Sequence, residues 1–189
     1  MLPERKKFLE IGSFEGRSMA WIIENMVADD AEPHSVVCID TWEGSEEHTE
    51  GQLGEDLFGR FLHNKHVAQD KYWARTKNAA AQSMVEAVKG KSADLLPHIL
   101  SNWSGSRESY DFIYIDGSHT APAVLTDACM AWPLLKPKGI MVFDDYNWMP
   151  SPRDILHRPK LAIDAFMNIF AEEVEVIHVG YQMVIRKKG

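Results

Sequence analysis

Between Phe8 and Ile23 a short apolar run, an acid, two glycines and an amphipathic segment follow one another. The residues are Phe8-Leu9-Glu10-Ile11-Gly12-Ser13-Phe14-Glu15-Gly16-Arg17-Ser18, then Met19-Ala20-Trp21-Ile22-Ile23. This order predicts a strand, a tight turn and a helix, the opening of a nucleotide-binding βαβ unit. Glycine serves where the chain reverses, because a Cβ would block the backbone torsions or the approach of a ligand. The helix would turn its unpaired N–H groups and the positive end of its dipole toward the turn. A carboxylate or phosphate would be held there. Taken alone, the stretch also reads as an ordinary strand-to-helix turn with glycines for geometry only.

The pattern of an apolar run closing on an acid recurs. Ser35-Val36-Val37-Cys38-Ile39-Asp40 is continuous, as strands buried on both faces are. Tyr110 to Asp116 and Ile140 to Asp145 end in the same way, the latter in two acids. The first strand is expected over Lys7–Ile11, and a helix from Ser18 to Ala28. Further helices are expected over Asp56–Val67, Ser92–Leu100, Ala121–Leu135 and Lys160–Glu172. Met84–Val88 reads as a strand, while Lys71–Ala81 gives no clear period. Val174–Val179 and Tyr181–Lys187, meeting at Gly180, predict an antiparallel hairpin. In open α/β sheets ligands bind outside the carboxyl ends of the strands, so Asp40 is placed to accept ribose hydroxyls or to cap the next segment. Several acids gathered at that edge would repel one another unless cations or hydroxyls lay between them. Trp42 could stack on a base or plug the core. The polar stretch Thr41–Leu53, with Glu43, Glu46, Glu47, His48 and Glu50, reads as a binding loop or a solvated acidic loop.

Composition removes several classes. The chain has 189 residues, 45% of them apolar, which suits one domain spanning 1–189. Twenty basic against twenty-eight acidic residues leave a net charge of -8, against a non-specific nucleic-acid or anionic-membrane binder. No apolar run is long enough to span a bilayer, and no signal-peptide pattern follows the N-terminus. A cytoplasmic location is expected, with Cys38 and Cys129 as reduced core residues. Gly90-Lys91-Ser92 imitates the end of a phosphate loop, but Val85 stands where that loop needs glycine. His63 and His66 fall one helical turn apart without a third ligand, which is a surface pattern rather than a metal site.

Together the motifs resemble the class I S-adenosylmethionine-dependent methyltransferases. Glu10-Ile11-Gly12-Ser13-Phe14-Glu15-Gly16 is similar to that family's acid-x-Gly-x-Gly-x-Gly turn, with Phe14 at the middle glycine. The aromatic replacement, followed by Gly16 and Ser18, resembles the catechol and caffeoyl-coenzyme A O-methyltransferases. Gly90-Lys91-Ser92-Ala93-Asp94-Leu95-Leu96-Pro97 looks like their Gly-x-Ser-x-Asp-x-x-Pro segment. Asp116-Gly117-Ser118-His119 and Asp144-Asp145-Tyr146 are similar to paired motifs of macrocin-type sugar O-methyltransferases. The resemblance implies a Rossmann-like α/β sandwich of three layers. Its mostly parallel seven-stranded sheet would have order 3-2-1-4-5-7-6.

It also implies roles. The cofactor's carboxylate would lie over Gly12, Ser13, Phe14, Gly16 and Ser18, and its amino group near Glu10 or Asp116. Asp40 would take the ribose, Ser92 and Trp42 would lie near the adenine, and Thr41 is also counted among the cofactor-binding residues. Asp116, Asp144 and Asp145 would hold Mg²⁺ or Mn²⁺, which prefer oxygen ligands. His119 would be the general base, and Asp116 would share the catalytic centre. The partner expected is a small-molecule acceptor, and a homodimer is allowed. Departures exist: Ser118 stands where the sugar enzymes carry an acid, and only six residues precede the first strand. The alternatives are a metal-independent methyltransferase, a nicotinamide-dependent oxidoreductase and a non-catalytic binding module. The oxidoreductase is disfavoured because Gly12 and Gly16 do not make Gly-x-Gly-x-x-Gly.

Overall fold

A computed structural model describes residues 6–44, 56–102, 107–149 and 154–189. The apolar runs become strands β1 (Lys7–Ile11), β2 (Ser35–Asp40), β3 (Val85–Lys89), β4 (Tyr110–Ile115), β5 (Leu135–Phe143), β6 (Val174–Val179) and β7 (Met183–Lys187). Their sheet order is β3-β2-β1-β4-β5-β7-β6, as expected. Helices α1 (Arg17–Asn25), α2 (Leu57–Thr76), α3 (Ser92–Asn102), α4 (Ala121–Ala131) and α5 (Pro159–Ile169) intervene. The chain divides into two compact units at Gly90 and Lys91.

In the first unit β1 runs parallel to β2, with Glu10 opposite Cys38, and β2 runs parallel to β3. Phe8, Leu9, Ile11, Val36, Cys38 and Ile39 are buried, so β1 and β2 are covered on both faces. Met19, Ile22 and Ile23 of α1 recur at helical spacing and bury one stripe. Burying each such side chain contributes about 1.5–3 kcal/mol. Helix α2 begins at an N-cap, Asp56, whose side chain accepts from the Gly59 N–H at 2.7 Å. It continues through Lys71–Thr76, the stretch without a readable period. Tertiary anchors explain this. Tyr72 Oη donates to the Ala28 carbonyl at 2.7 Å, and the Gln69 amide donates to the Ala81 carbonyl at 2.8 Å. Lys77 then ends the helix in the left-handed region. Strand β3 starts one residue later than expected, because Met84 closes a 3₁₀ turn.

In the second unit β4 and β5 are parallel, whereas β7 pairs antiparallel with both β5 and β6. Helix α4 stops at Ala131, short of the expected Leu135, and Trp132–Leu134 forms a 3₁₀ turn. Strand β5 therefore starts at Leu135 and passes through Pro137-Lys138-Gly139, which the sequence suggested only as a break. Leu135 pairs with Tyr110 before an irregularity in the register, so the proline falls where the ladder is already interrupted. The hairpin turn spans Gly180 to Gln182, with the Gly180 N–H on the Gln182 carbonyl. Tyr181 and Gln182 thus sit in the turn and not in β7, which begins at Met183. Cys38 is buried as expected, but Cys129, on α4, is exposed. No helix among the described residues is long and apolar enough to cross a membrane.

Candidate active site

In the first unit, the turn after β1 reverses through two left-handed glycines, Gly12 (φ 86) and Gly16 (φ 83). The Gly12 N–H bonds the Ile39 carbonyl, and the Gly16 N–H bonds the Ser13 carbonyl at 2.7 Å. Phe14, at the position of the family's middle glycine, is also left-handed (φ 46). That conformation costs a non-glycine residue roughly 1–2 kcal/mol. A Cβ on Gly16 would come 2.9 Å from Met19 Cε and 3.1 Å from Phe61 Cδ2. Gly16→Ala is therefore expected to lower stability by about 1–2 kcal/mol, read as a lower urea midpoint at unchanged slope.

Asp40 ends β2, but its carboxylate already serves the backbone. Oδ2 accepts the N–H groups of Ser13 and Phe14, both at 2.8 Å, and Oδ1 accepts that of Trp42 at 2.6 Å. The Trp42 side chain is buried, with ring centroids 4.6 Å from Phe58 and 4.8 Å from Phe61. Its indole N–H donates to the Phe14 carbonyl at 2.9 Å. Thr41 Oγ1 accepts from the Glu43 N–H. The rest of the expected polar loop, residues 45–53, lies outside the described residues.

Glu10 is fully buried beneath the turn. Burial pushes its carboxyl above the usual range, while the side chains of Ser13, Ser18 and Cys38 pull the other way. Neither Glu10 oxygen nor Ser13 Oγ has a hydrogen bond of normal geometry. Of the two acids considered for the cofactor's amino group, Glu10 is sealed and Asp116 is partly exposed.

In the second unit, Asp116 follows β4, Asp144 and Asp145 follow β5, and His119 lies in the loop before α4. Asp116, His119 and Asp145 each offer a ligand atom, and those atoms lie within 4.8 Å of one another. Among the described residues they are the only such group. The His119 Nε2 is 2.8 Å from Asp145 Oδ2, and its ring lies 4.6 Å from that of Trp148. Asp145 itself is left-handed (φ 55), a conformation that Asp tolerates better than most residues. Burial pushes its carboxyl up, but hydrogen bonds from His119 and Tyr181 outweigh this and hold it below the usual range. The same bond to Asp145 is the first reason that the Tyr181 phenol is pushed up to about 12.

Asp144, the third carboxylate expected in the metal set, is not in that group. Its oxygens accept from the Tyr114 hydroxyl, the Gln182 amide at 3.1 Å and the Asp145 N–H at 2.8 Å. Ser92 opens α3, and its hydroxyl hydrogen-bonds to the buried Asp127. Sequence reasoning missed Tyr114, Tyr181, Gln182 and Asp127. Only Trp148, an aromatic three residues after Asp145, left a local signal.

A family model described as a methyltransferase domain matches residues 9–146. No curated protein matches the chain significantly. Solved structures do resemble it. The O-methyltransferase TomG from Streptomyces achromogenes, involved in tomaymycin synthesis and in complex with SAM, gives a TM-score of 0.67 at 17% identity. The match covers 98% of this chain and 74% of that one. An O-methyltransferase from Bacillus cereus in complex with SAH gives 0.56 at 20% identity, covering 97% and 75%. MycE, a methyltransferase of the mycinamycin biosynthetic pathway in complex with Mg, SAH and mycinamycin VI, gives 0.59 at 15% identity. There the match covers 100% of this chain but 46% of the other.

Proposed function

Because this chain belongs to the methyltransferase-domain family, and so is an S-adenosylmethionine-dependent methyltransferase, we propose that it methylates a small-molecule hydroxyl with the help of a divalent ion. The observation that carries the proposal is the group Asp116, His119 and Asp145. Two carboxylates with an imidazole beside them fit a divalent cation and a proton acceptor together. Asp116 and Asp145 would hold Mg²⁺ or Mn²⁺. When bound, the ion would supply Lewis acidity and lower the pKa of the acceptor hydroxyl. His119, held by Asp145 at Nε2, would accept the hydroxyl proton. Trp148 would hold the imidazole plane from one side. Asp144, committed to Tyr114 and Gln182, would hold the loop that carries Asp145.

The turn from Gly12 to Ser18 would carry the donor, S-adenosylmethionine, which supplies an electrophilic methyl group on sulfur. The nicotinamide-dependent alternative belongs to a different family and is set aside. The His119–Asp145 pair also supports a metal-free version of the same reaction, since a carboxylate alone can orient an imidazole base.

Two measurements test this reading. Calorimetry with S-adenosylhomocysteine is expected to show binding, and no heat at high protein concentration would overturn the donor assignment. Methylation of a panel of hydroxyl acceptors is expected to stop on adding a chelator and to return with Mg²⁺ or Mn²⁺. Chelator-insensitive turnover would leave the metal-free version.

A further inference from the structure

The turn after β1 is held in place from outside itself. Its apex places a phenylalanine in the left-handed region, and Trp42, two residues past Asp40, is left-handed as well (φ 52). Bulky residues persist in this region only where their surroundings over-determine them, and such positions gather at functional sites. Here three side chains supply the determination. Asp40 takes the N–H groups of Ser13 and Phe14 on one oxygen and that of Trp42 on the other. The Trp42 indole N–H takes the Phe14 carbonyl, at 2.9 Å. Asn64, on α2, donates its amide to the Glu15 carbonyl at 2.8 Å. The peptide unit before Phe14 is thereby tied to Asp40 through its N–H, the one after it to Trp42 through its carbonyl, and the next one to Asn64. Trp42 cannot drift, because its ring is wedged against Phe58 and Phe61.

We propose that Asp40, Trp42 and Asn64 form a clamp that presets the donor-binding turn, and that Trp42 is a positioning residue acting through its indole N–H on the Phe14 carbonyl. The inference rests on the reading that this turn carries the donor. It assigns to Trp42 a role other than stacking on the adenine, and it explains how the chain tolerates Phe14 at a position suited to glycine. A glycine there would adopt the left-handed conformation without help. The aromatic one needs its carbonyl and N–H groups tied down. Released from the clamp, the peptides around Phe14 would relax toward right-handed or extended torsions, and the turn would have to be rebuilt each time the donor binds.

The test is a double-mutant cycle read by calorimetry with S-adenosylhomocysteine, with melting curves on every variant. Trp42→Phe keeps an aromatic ring between Phe58 and Phe61 but removes the N–H. It is expected to weaken binding roughly three- to tenfold, the loss of one neutral hydrogen bond. Phe14→Gly in the Trp42→Phe background is expected to restore affinity to within about twofold of Phe14→Gly alone, since glycine needs no clamp. A residue that merely fills the core would not be rescued by glycine at position 14. A residue that stacks on a base would be served nearly as well by phenylalanine. Unchanged affinity in Trp42→Phe, or no recovery on adding Phe14→Gly, overturns the clamp. Absence of binding by the unsubstituted protein instead overturns the donor assignment, so the two failures are distinguishable.

Discussion

His119→Ala is expected to lower turnover on an accepted hydroxyl substrate by about 10²–10⁴-fold, the usual contribution of a positioned base. Affinity for S-adenosylhomocysteine should stay within about twofold, because His119 follows β4 and is not part of the turn from Gly12 to Ser18. The size of the effect follows from the geometry. An imidazole free in solution would sample many orientations, whereas this one is held by Asp145 at 2.8 Å and by the Trp148 ring. That arrangement fixes the orientation of the ring, which is what a positioned base needs. His119→Gln, which can keep a hydrogen bond to Asp145 but cannot accept a proton near neutral pH, should be as slow as the alanine variant. Full turnover in either variant would remove the base role. Turnover lost together with S-adenosylhomocysteine binding would mean that the histidine supports the fold instead.

Asp127→Asn is expected to stabilise the protein at neutral pH. Asp127 lies on α4 and is buried; burial raises its carboxyl to about 6, partly countered by the Ser92 hydroxyl. The folded chain therefore keeps a proton that the unfolded chain releases near the ordinary value of 3.8. Between those values the native state binds more protons than the unfolded state. Stability from this group consequently falls as pH rises from about 4 to about 6, then stays level. At pH 7 the buried charge costs about 3 kcal/mol. Asparagine removes the charge and keeps an acceptor for Ser92. Its gain in Tm over wild type should be near zero below pH 4 and reach about 6–12 °C above pH 6. A difference in Tm that does not vary with pH would show that Asp127 is not charged at a cost in the folded chain.

The order of strands and helices was legible because burial writes itself into runs. Ser35 to Asp40 has no polar face, and Met19, Ile22 and Ile23 mark one stripe of a helix. Legibility failed where one element depends on another. Lys71–Thr76 stays helical through Tyr72 and Gln69, whose hydrogen bonds reach Ala28 and Ala81. Strand β5 starts at Leu135 and not at Ile140, because Tyr110 pairs with it across a break in the register. Cys129 sits in an apolar run yet faces outward, since helical phase alone does not say which side meets the sheet.

The same division holds within the candidate site. Glycines where the chain reverses and acids after the apolar runs are local necessities of backbone torsion and strand burial, and the amino-acid order alone settles them. Which atoms those acids touch is set by distance through space. Asp40 meets the N–H groups of Ser13 and Phe14, 27 and 26 residues away, and Asp144 meets Gln182, 38 residues away. Asp145 meets His119. A carboxylate accepts from whichever donors the fold brings within about 3 Å. Only tertiary structure could therefore separate the acid beside the histidine from its neighbour, which is spent on a tyrosine and a glutamine.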